Sequence, residues 1–173
     1  PGPAREMHPM FEQLEVPKLQ AEGIFPEVDC YLQLRTAGIG ESSLAEKVEP
    51  IFADKEGLIV GYCAHAGMVD LRLSSLDAEI LSEETLHQLG DQCRQVLGED
   101  FACYGERTLA EIIFRELHSL EKTLAVAESC TGGLLSSHFT EIPGISKVFQ
   151  GGAVCYHNDA KVQMLDVPES MLE

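Results

Sequence analysis

The stretch that most constrains this chain is TLAVAESCTGGLL, residues 123–135. Residues 124–127 are a short apolar run, which reads as a buried strand. Glu128, Ser129, Cys130 and Thr131 follow at once, then Gly132 and Gly133. Leu134, Leu135, His138 and Phe139 resume at helical spacing, so the pattern predicts a helix from near Thr131 to about Thr140. A strand feeding a helix through a small, hydroxyl-rich, glycine-bearing turn leaves backbone N–H groups unpaired at the helix start. Those donors and the helix dipole favour an anion or a developing oxyanion. Ser129 stands at the mouth of the turn, where a nucleophile is wanted. The bland alternative is an ordinary strand–helix turn with Ser or Thr as N-cap. Cys130 lies where a thiol is activated, and reads as a neighbour of the site rather than its nucleophile.

Composition narrows the classes. The chain has 173 residues, 45% of them hydrophobic, enough for one large or two small domains with a buried core. Its net charge of −17 repels phosphate backbones and argues against general nucleic-acid binding. A small phosphorylated ligand at a local nest of N–H donors stays compatible with that field. No apolar run reaches the roughly 20 residues of a membrane span, and PGPAREMHPMFE lacks the pattern of a signal peptide. Without an initiator Met, it reads as a cut from a longer chain. Six cysteines, none in a Cys-x-x-Cys pair, read as reduced thiols of a cytoplasmic protein, with no metal site expected.

Residues 1–26 carry Glu6, Met7, Met10 and Phe11 on a helix-like pattern, broken by Pro17, Gly23 and Pro26. Residues 28–36 alternate as a strand. Ser43 and Glu46 match a capping box, with Leu44, Val48 and Ile51 on one helical face. Residues 58–64 and 68–74 predict a hairpin around His65-Ala66-Gly67. Ser82 caps a helix with Leu86, Leu89, Cys93, Val96 and Leu97 on its apolar face. Residues 27–100 therefore read as a small α+β unit in the order β-α-β-β-α. That order suggests a KH-type module, but the loop GIGES carries an acid and no Lys or Arg, so a packing role is expected.

From residue 101 the pattern is α/β. Residues 101–104 read as a strand. Thr108 and Glu111 form a second capping box, before a helix with an apolar stripe of Leu109, Ile112, Ile113, Leu117 and Leu120. Gly151-Gly152 opens a strand over 153–156, Asn158 caps a last helix, and Pro168 stops it. If this strand lies beside 124–127, its end brings Tyr156, Asn158 and Lys161 near Ser129. A Lys beside a Ser serves as base once it is neutral, and Tyr156 would orient it or relay a proton. The bland alternatives are a solvated helix lysine and a strand-end aromatic.

AESCTGG followed by GGAVCYHNDAK resembles the C-terminal amidase domain of the CinA (competence/damage-inducible) family. That resemblance implies a three-layer α/β/α amidase fold, truncated here. It also implies hydrolysis of nicotinamide mononucleotide to nicotinic acid mononucleotide and ammonia, without a cofactor. Ser129 would be the nucleophile, Lys161 its base and Tyr156 an assisting residue. Glu128, Thr131, Gly132, Gly133 and Asn158 would line the substrate. Residues 1–26 are similar to the end of the family's molybdopterin-binding-like domain, residues 27–100 to its KH-like middle domain, and 101–173 to the first part of the amidase domain. His157 stands where a small polar residue is more usual. The resemblance implies a small nucleotide as substrate. A cut α/β domain leaves an unpaired sheet edge and uncovered helix faces, so a homo-oligomer formed through residues 101–173 is expected. Charge, cysteine usage and hydropathy point to the cytoplasm, with no nucleic acid or membrane partner. The competing reading is a non-catalytic assembly module of a CinA-like protein whose N-terminal domain is an ADP-ribose pyrophosphatase.

Overall fold

The structure, a computed structural model, describes residues 4–24 and 30–172. The chain divides into two compact units between Glu106 and Arg107.

The first unit opens with α1 (Ala4–Met10), a π-helical turn (Phe11–Glu15) and α2 (Val16–Ala21). Pro17 sits in the first turn of α2, where its missing N–H costs nothing, so it does not break the segment as expected. The expected start of the next strand at residue 28 lies outside the described residues.

Four antiparallel strands follow, β1 (Cys30–Ala37), β2 (Leu58–His65), β3 (Met68–Ser75) and β4 (Phe101–Tyr104), in the order β2-β3-β1-β4. Helices α3 (Glu41–Phe52) and α4 (Glu83–Leu97) complete the unit. The period-2 pattern turns Leu32 and Leu34 of β1 and Val69, Leu71 and Leu73 of β3 into one core. Leu44 and Val48 of α3 and Leu86, Leu89, Cys93 and Leu97 of α4 close it. Burying each large side chain is worth about 1.5–3 kcal/mol, so this unit has a core of its own.

Several expectations are corrected here. The strand 101–104 does not open the second unit: β4 pairs with β1, and Phe101 and Tyr104 pack on the first core. The join therefore falls at Glu106, not at residue 100, and the order becomes β-α-β-β-α-β. Ser43 is not a cap. Helix α3 starts at Glu41 behind Gly40, which makes no side-chain cap bond. Val96 is 47% exposed, off the buried face of α4. Ser82 does cap α4, accepting from Thr85 N.

The second unit contains α5 (Leu109–Ser119), β5 (Leu124–Glu128), α6 (Leu134–Thr140), β6 (Phe149–Val154) and α7 (Asn158–Leu165). Strands β5 and β6 are parallel neighbours, from Leu124 opposite Phe149 to Glu128 opposite Val154. The expected pairing thus holds, although β6 begins and ends earlier than 153–156, leaving Tyr156 beyond it. Helix α6 contacts both strands, and Phe139 stacks on Phe149 with ring centroids 5.5 Å apart. The capping box of Thr108 and Glu111 is formed in both directions. No residue of α5 is buried, however, and Ile113 and Leu120 are 41% and 62% exposed. Two strands offer too little sheet to cover the stripe. The architecture is thus an α+β unit followed by an α/β unit.

Candidate active site

Strands β5 and β6 end side by side, with Cys155 N donating to Glu128 O at 2.7 Å. Parallel strands deliver their following loops to the same edge, the edge where ligands gather in α/β sheets. Ser129 leaves β5 at this edge, and Tyr156 to Lys161 follow β6 there.

The turn after β5 differs from expectation. Gly132 (φ 60°) and Gly133 (φ 102°) are both left-handed, so a right-handed helix cannot run through them, and α6 begins at Leu134 rather than near Thr131. Gly132 N donates to Ser129 O at 3.1 Å, and Leu134 N to Thr131 O at 3.1 Å, making two successive tight turns. The donors at the helix start are not open to a ligand. Glu128, 5% exposed, takes them: its Oε2 accepts from Gly133 N at 3.2 Å and Leu135 N at 2.9 Å. Its Oε1 accepts from Ser136 N at 2.8 Å and Ser136 Oγ at 2.6 Å. The Ser136 hydroxyl first, then these amides, hold the Glu128 carboxyl down to a pKa of about 2 against the opposing effect of burial. The Glu128 carboxylate and the Gly133 N–H, expected to line a substrate, are bonded to one another within the turn. Among the described residues, the N–H groups of Ser129, Cys130 and Thr131 have no protein acceptor. They are the donors a developing oxyanion would find.

Ser129 is half-buried and Cys130 beside it is exposed. Thr131 and Gly132 are exposed on the turn. Lys161 is half-buried in α7, and its Nζ donates to Asn158 Oδ1 at 3.0 Å. Ser129 Oγ has no hydrogen-bond partner among the described residues, so the Ser129–Lys161 bond is not made in this state. Asn158 does not cap α7. The cap is His157, whose Nδ1 accepts from Asp159 N at 3.3 Å. Tyr156 is 74% exposed and free to reach a ligand. The structure thus brings the serine and lysine elements to one sheet edge without joining their side chains. Sequence reasoning missed Ser136. Its signal was a Glu closing a strand eight residues before a Ser in the first turn of the next helix. Among the described residues, no cluster of His, Cys, Asp and Glu could hold a metal ion.

A serine turn between a parallel strand and a short helix, with a lysine helix after the neighbouring strand, defines the sheet edge of this α/β unit. Comparison with known proteins places it further. The family description "CinA C-terminal domain" matches residues 106–173, and "Damage-inducible protein CinA KH domain" matches residues 33–105. The chain belongs to the CinA family. A CinA-like protein of Nostoc punctiforme is 38% identical over 100% of this chain and 42% of its own length. One from Trichodesmium erythraeum is 38% identical over 96% of this chain and 39% of its own length. The chain therefore spans about 42% of the length of the first of these curated relatives. The solved structure of competence/damage inducible protein CihA from Agrobacterium tumefaciens shares 44% identity. The match covers 36% of this chain and 38% of that one, with a TM-score of 0.36.

Proposed function

We propose that this chain carries the nucleophile half of a serine amidase that hydrolyses nicotinamide mononucleotide to nicotinic acid mononucleotide and ammonia. The observation that carries it is the Ser129–Thr131 turn, a half-buried hydroxyl beside N–H groups with no protein acceptor. Ser129 Oγ attacks the amide carbon while Lys161 Nζ, in its neutral form and held by Asn158, takes the hydroxyl proton. The oxyanion is stabilised by the free N–H groups of the turn. The proton passes to the leaving nitrogen, ammonia departs, and water cleaves the acyl–serine ester to the carboxylate. Tyr156, exposed after β6, assists by orienting Lys161 over the substrate. The substrate is a small nucleotide, and neither cofactor, nucleic acid nor membrane takes part. Among the described residues, no helix is long and apolar enough to cross a membrane. Six free cysteines fit a reducing cytoplasm.

The test is ammonia release in the longest natural protein that contains this sequence. Lys161→Ala should lower kcat by about 10²–10⁴-fold, the usual worth of a general base. Lys161→Arg should not restore it, because a guanidinium stays protonated. A fully active Lys161→Arg would remove Lys161 from the mechanism. The absence of a Ser129–Lys161 bond favours a second reading, a non-catalytic assembly module of a CinA-like protein with a separate ADP-ribose pyrophosphatase domain. No ammonia release from the wild-type protein would support that reading.

A further inference from the structure

Glu128 has no part in the chemistry just described, yet it is the residue next to the nucleophile and is almost completely buried. Four donors from Gly133, Leu135 and Ser136 converge on its two oxygens. A ligand hydroxyl or amide could reach this carboxylate only by displacing one of them. A ligand anion is excluded more strongly, since the donors it needs are engaged and a buried negative charge lies behind them.

The same carboxylate closes the turn mechanically. It leaves the chain at residue 128 and binds residues 133, 135 and 136, so residues 129–132 are enclosed in a hydrogen-bonded ring that Gly133 closes. Gly132 inside the ring and Gly133 at its closure are both left-handed, and glycine loses the most freedom on being fixed. Without the carboxylate, the turn bonds from Gly132 N to Ser129 O and from Leu134 N to Thr131 O would be left to hold Ser129. Strand β6 is shaped to the same arrangement. A Cβ at Gly152 would collide with Ser136 Oγ and stand 3.1 Å from Val126 Cγ2. The glycine leaves the room in which Ser136 meets Glu128.

We infer that Glu128 is the positioning residue of the Ser129 turn, an internal anion that fixes the free N–H groups of residues 129–131 for the reacting amide and keeps the substrate's phosphate away from the start of α6. The inference rests on the amidase reading and adds which end of the substrate the turn receives. The phosphate is then bound elsewhere.

The experiment compares wild type, Glu128→Ala and Ser136→Ala in the longest natural protein that contains this sequence. Ammonia release is followed with and without formate, alongside amide hydrogen exchange. Glu128→Ala should lower kcat by about 10²-fold, the scale of a misplaced reacting group, with KM changed less than about threefold. Formate, a small carboxylate, should enter the vacated place and restore at least about tenfold, and chloride should not. Exchange at Gly133, Leu135 and Ser136 should rise in Glu128→Ala and fall again with formate. Ser136→Ala keeps the carboxylate and three of its donors, so it should lose only about 3–10-fold in kcat, and it serves if Glu128→Ala does not fold. A folded Glu128→Ala with unchanged kcat and raised KM would make Glu128 a substrate contact and overturn the inference. If wild type releases no ammonia, the amidase reading fails. Exchange then decides alone, and unchanged protection at the three amides overturns the positioning role.

Discussion

The buried carboxylate of Glu128 ties the second unit to acid conditions through simple linkage. Its folded pKa is about 2, below the roughly 4.3 of a free glutamate. A group depressed on folding adds stability that is fully present above the unfolded value and lost as pH falls through the folded one. The loss from Glu128 should therefore begin near pH 5 and be complete near pH 2. Thermal unfolding of wild type and Glu128→Gln, followed from pH 7 to pH 2, checks this. The two midpoints should differ most at neutral pH and converge in acid, and a gap constant over the whole range would deny the linkage. At this scale the sequence showed which elements carry the candidate residues more clearly than what each side chain contacts. Ser129 and Lys161 follow from local motif and strand adjacency. The role of Glu128 depends on left-handed φ at Gly132 and Gly133, which decides that the carboxylate, and not a ligand, meets the helix.

Between elements, the first sheet is fastened by a pair that alternation does not announce. Asp70 and Arg35 read as outward positions of β3 and β1, yet they are 1% and 8% exposed. They face each other across the ladder. Arg35 Nε and Nη2 donate to Asp70 Oδ1 and Oδ2 at 2.7 and 2.8 Å, and Nη1 donates to Glu106 O at 2.8 Å. His65 of β2 lies 3.1 Å from the same carboxylate. The Arg35 hydrogen bonds hold the Asp70 carboxyl below its ordinary range. Asp70→Ala would leave a buried guanidinium without its carboxylate, so it should cost about 3–5 kcal/mol, read as a lower denaturant midpoint. A loss below about 1 kcal/mol would class the pair with exposed ion pairs. The hairpin, the helix faces of α3 and α4 and the β5–β6 pairing were legible because periodicity reports which face is buried. The place of β4 was not. Four residues carry too little pattern to choose a sheet, and the choice was made by a non-local partner, β1.

At the scale of the whole molecule, both units expose large apolar side chains, but among the described residues the second buries far fewer, Phe139, Val148 and Cys155. The first has a closed core. In the second, Leu120, Leu134, Tyr156, Met164 and Met171 are 62%, 56%, 74%, 61% and 75% exposed. Surfaces of this kind associate. Sedimentation of the 173-residue chain across a concentration series should show reversible self-association, weakened by Leu134→Lys with Met164→Lys. A concentration-independent monomer would contradict it. Net charge of −17 opposes association at low ionic strength, so the effect should strengthen with added salt.

In the proposed amidase, Ser129 and not its neighbour Cys130 is the nucleophile. The most direct measurement is ammonia release from saturating nicotinamide mononucleotide by Ser129→Ala and Cys130→Ser, side by side in the longest natural protein that contains this sequence. Ser129→Ala should fall by about 10⁴-fold or more, as loss of a nucleophile does, and calorimetry should show that it still binds the nucleotide. Cys130→Ser should keep most of the wild-type rate. An inactive Cys130→Ser beside a working Ser129→Ala would overturn the serine assignment and make this a cysteine amidase.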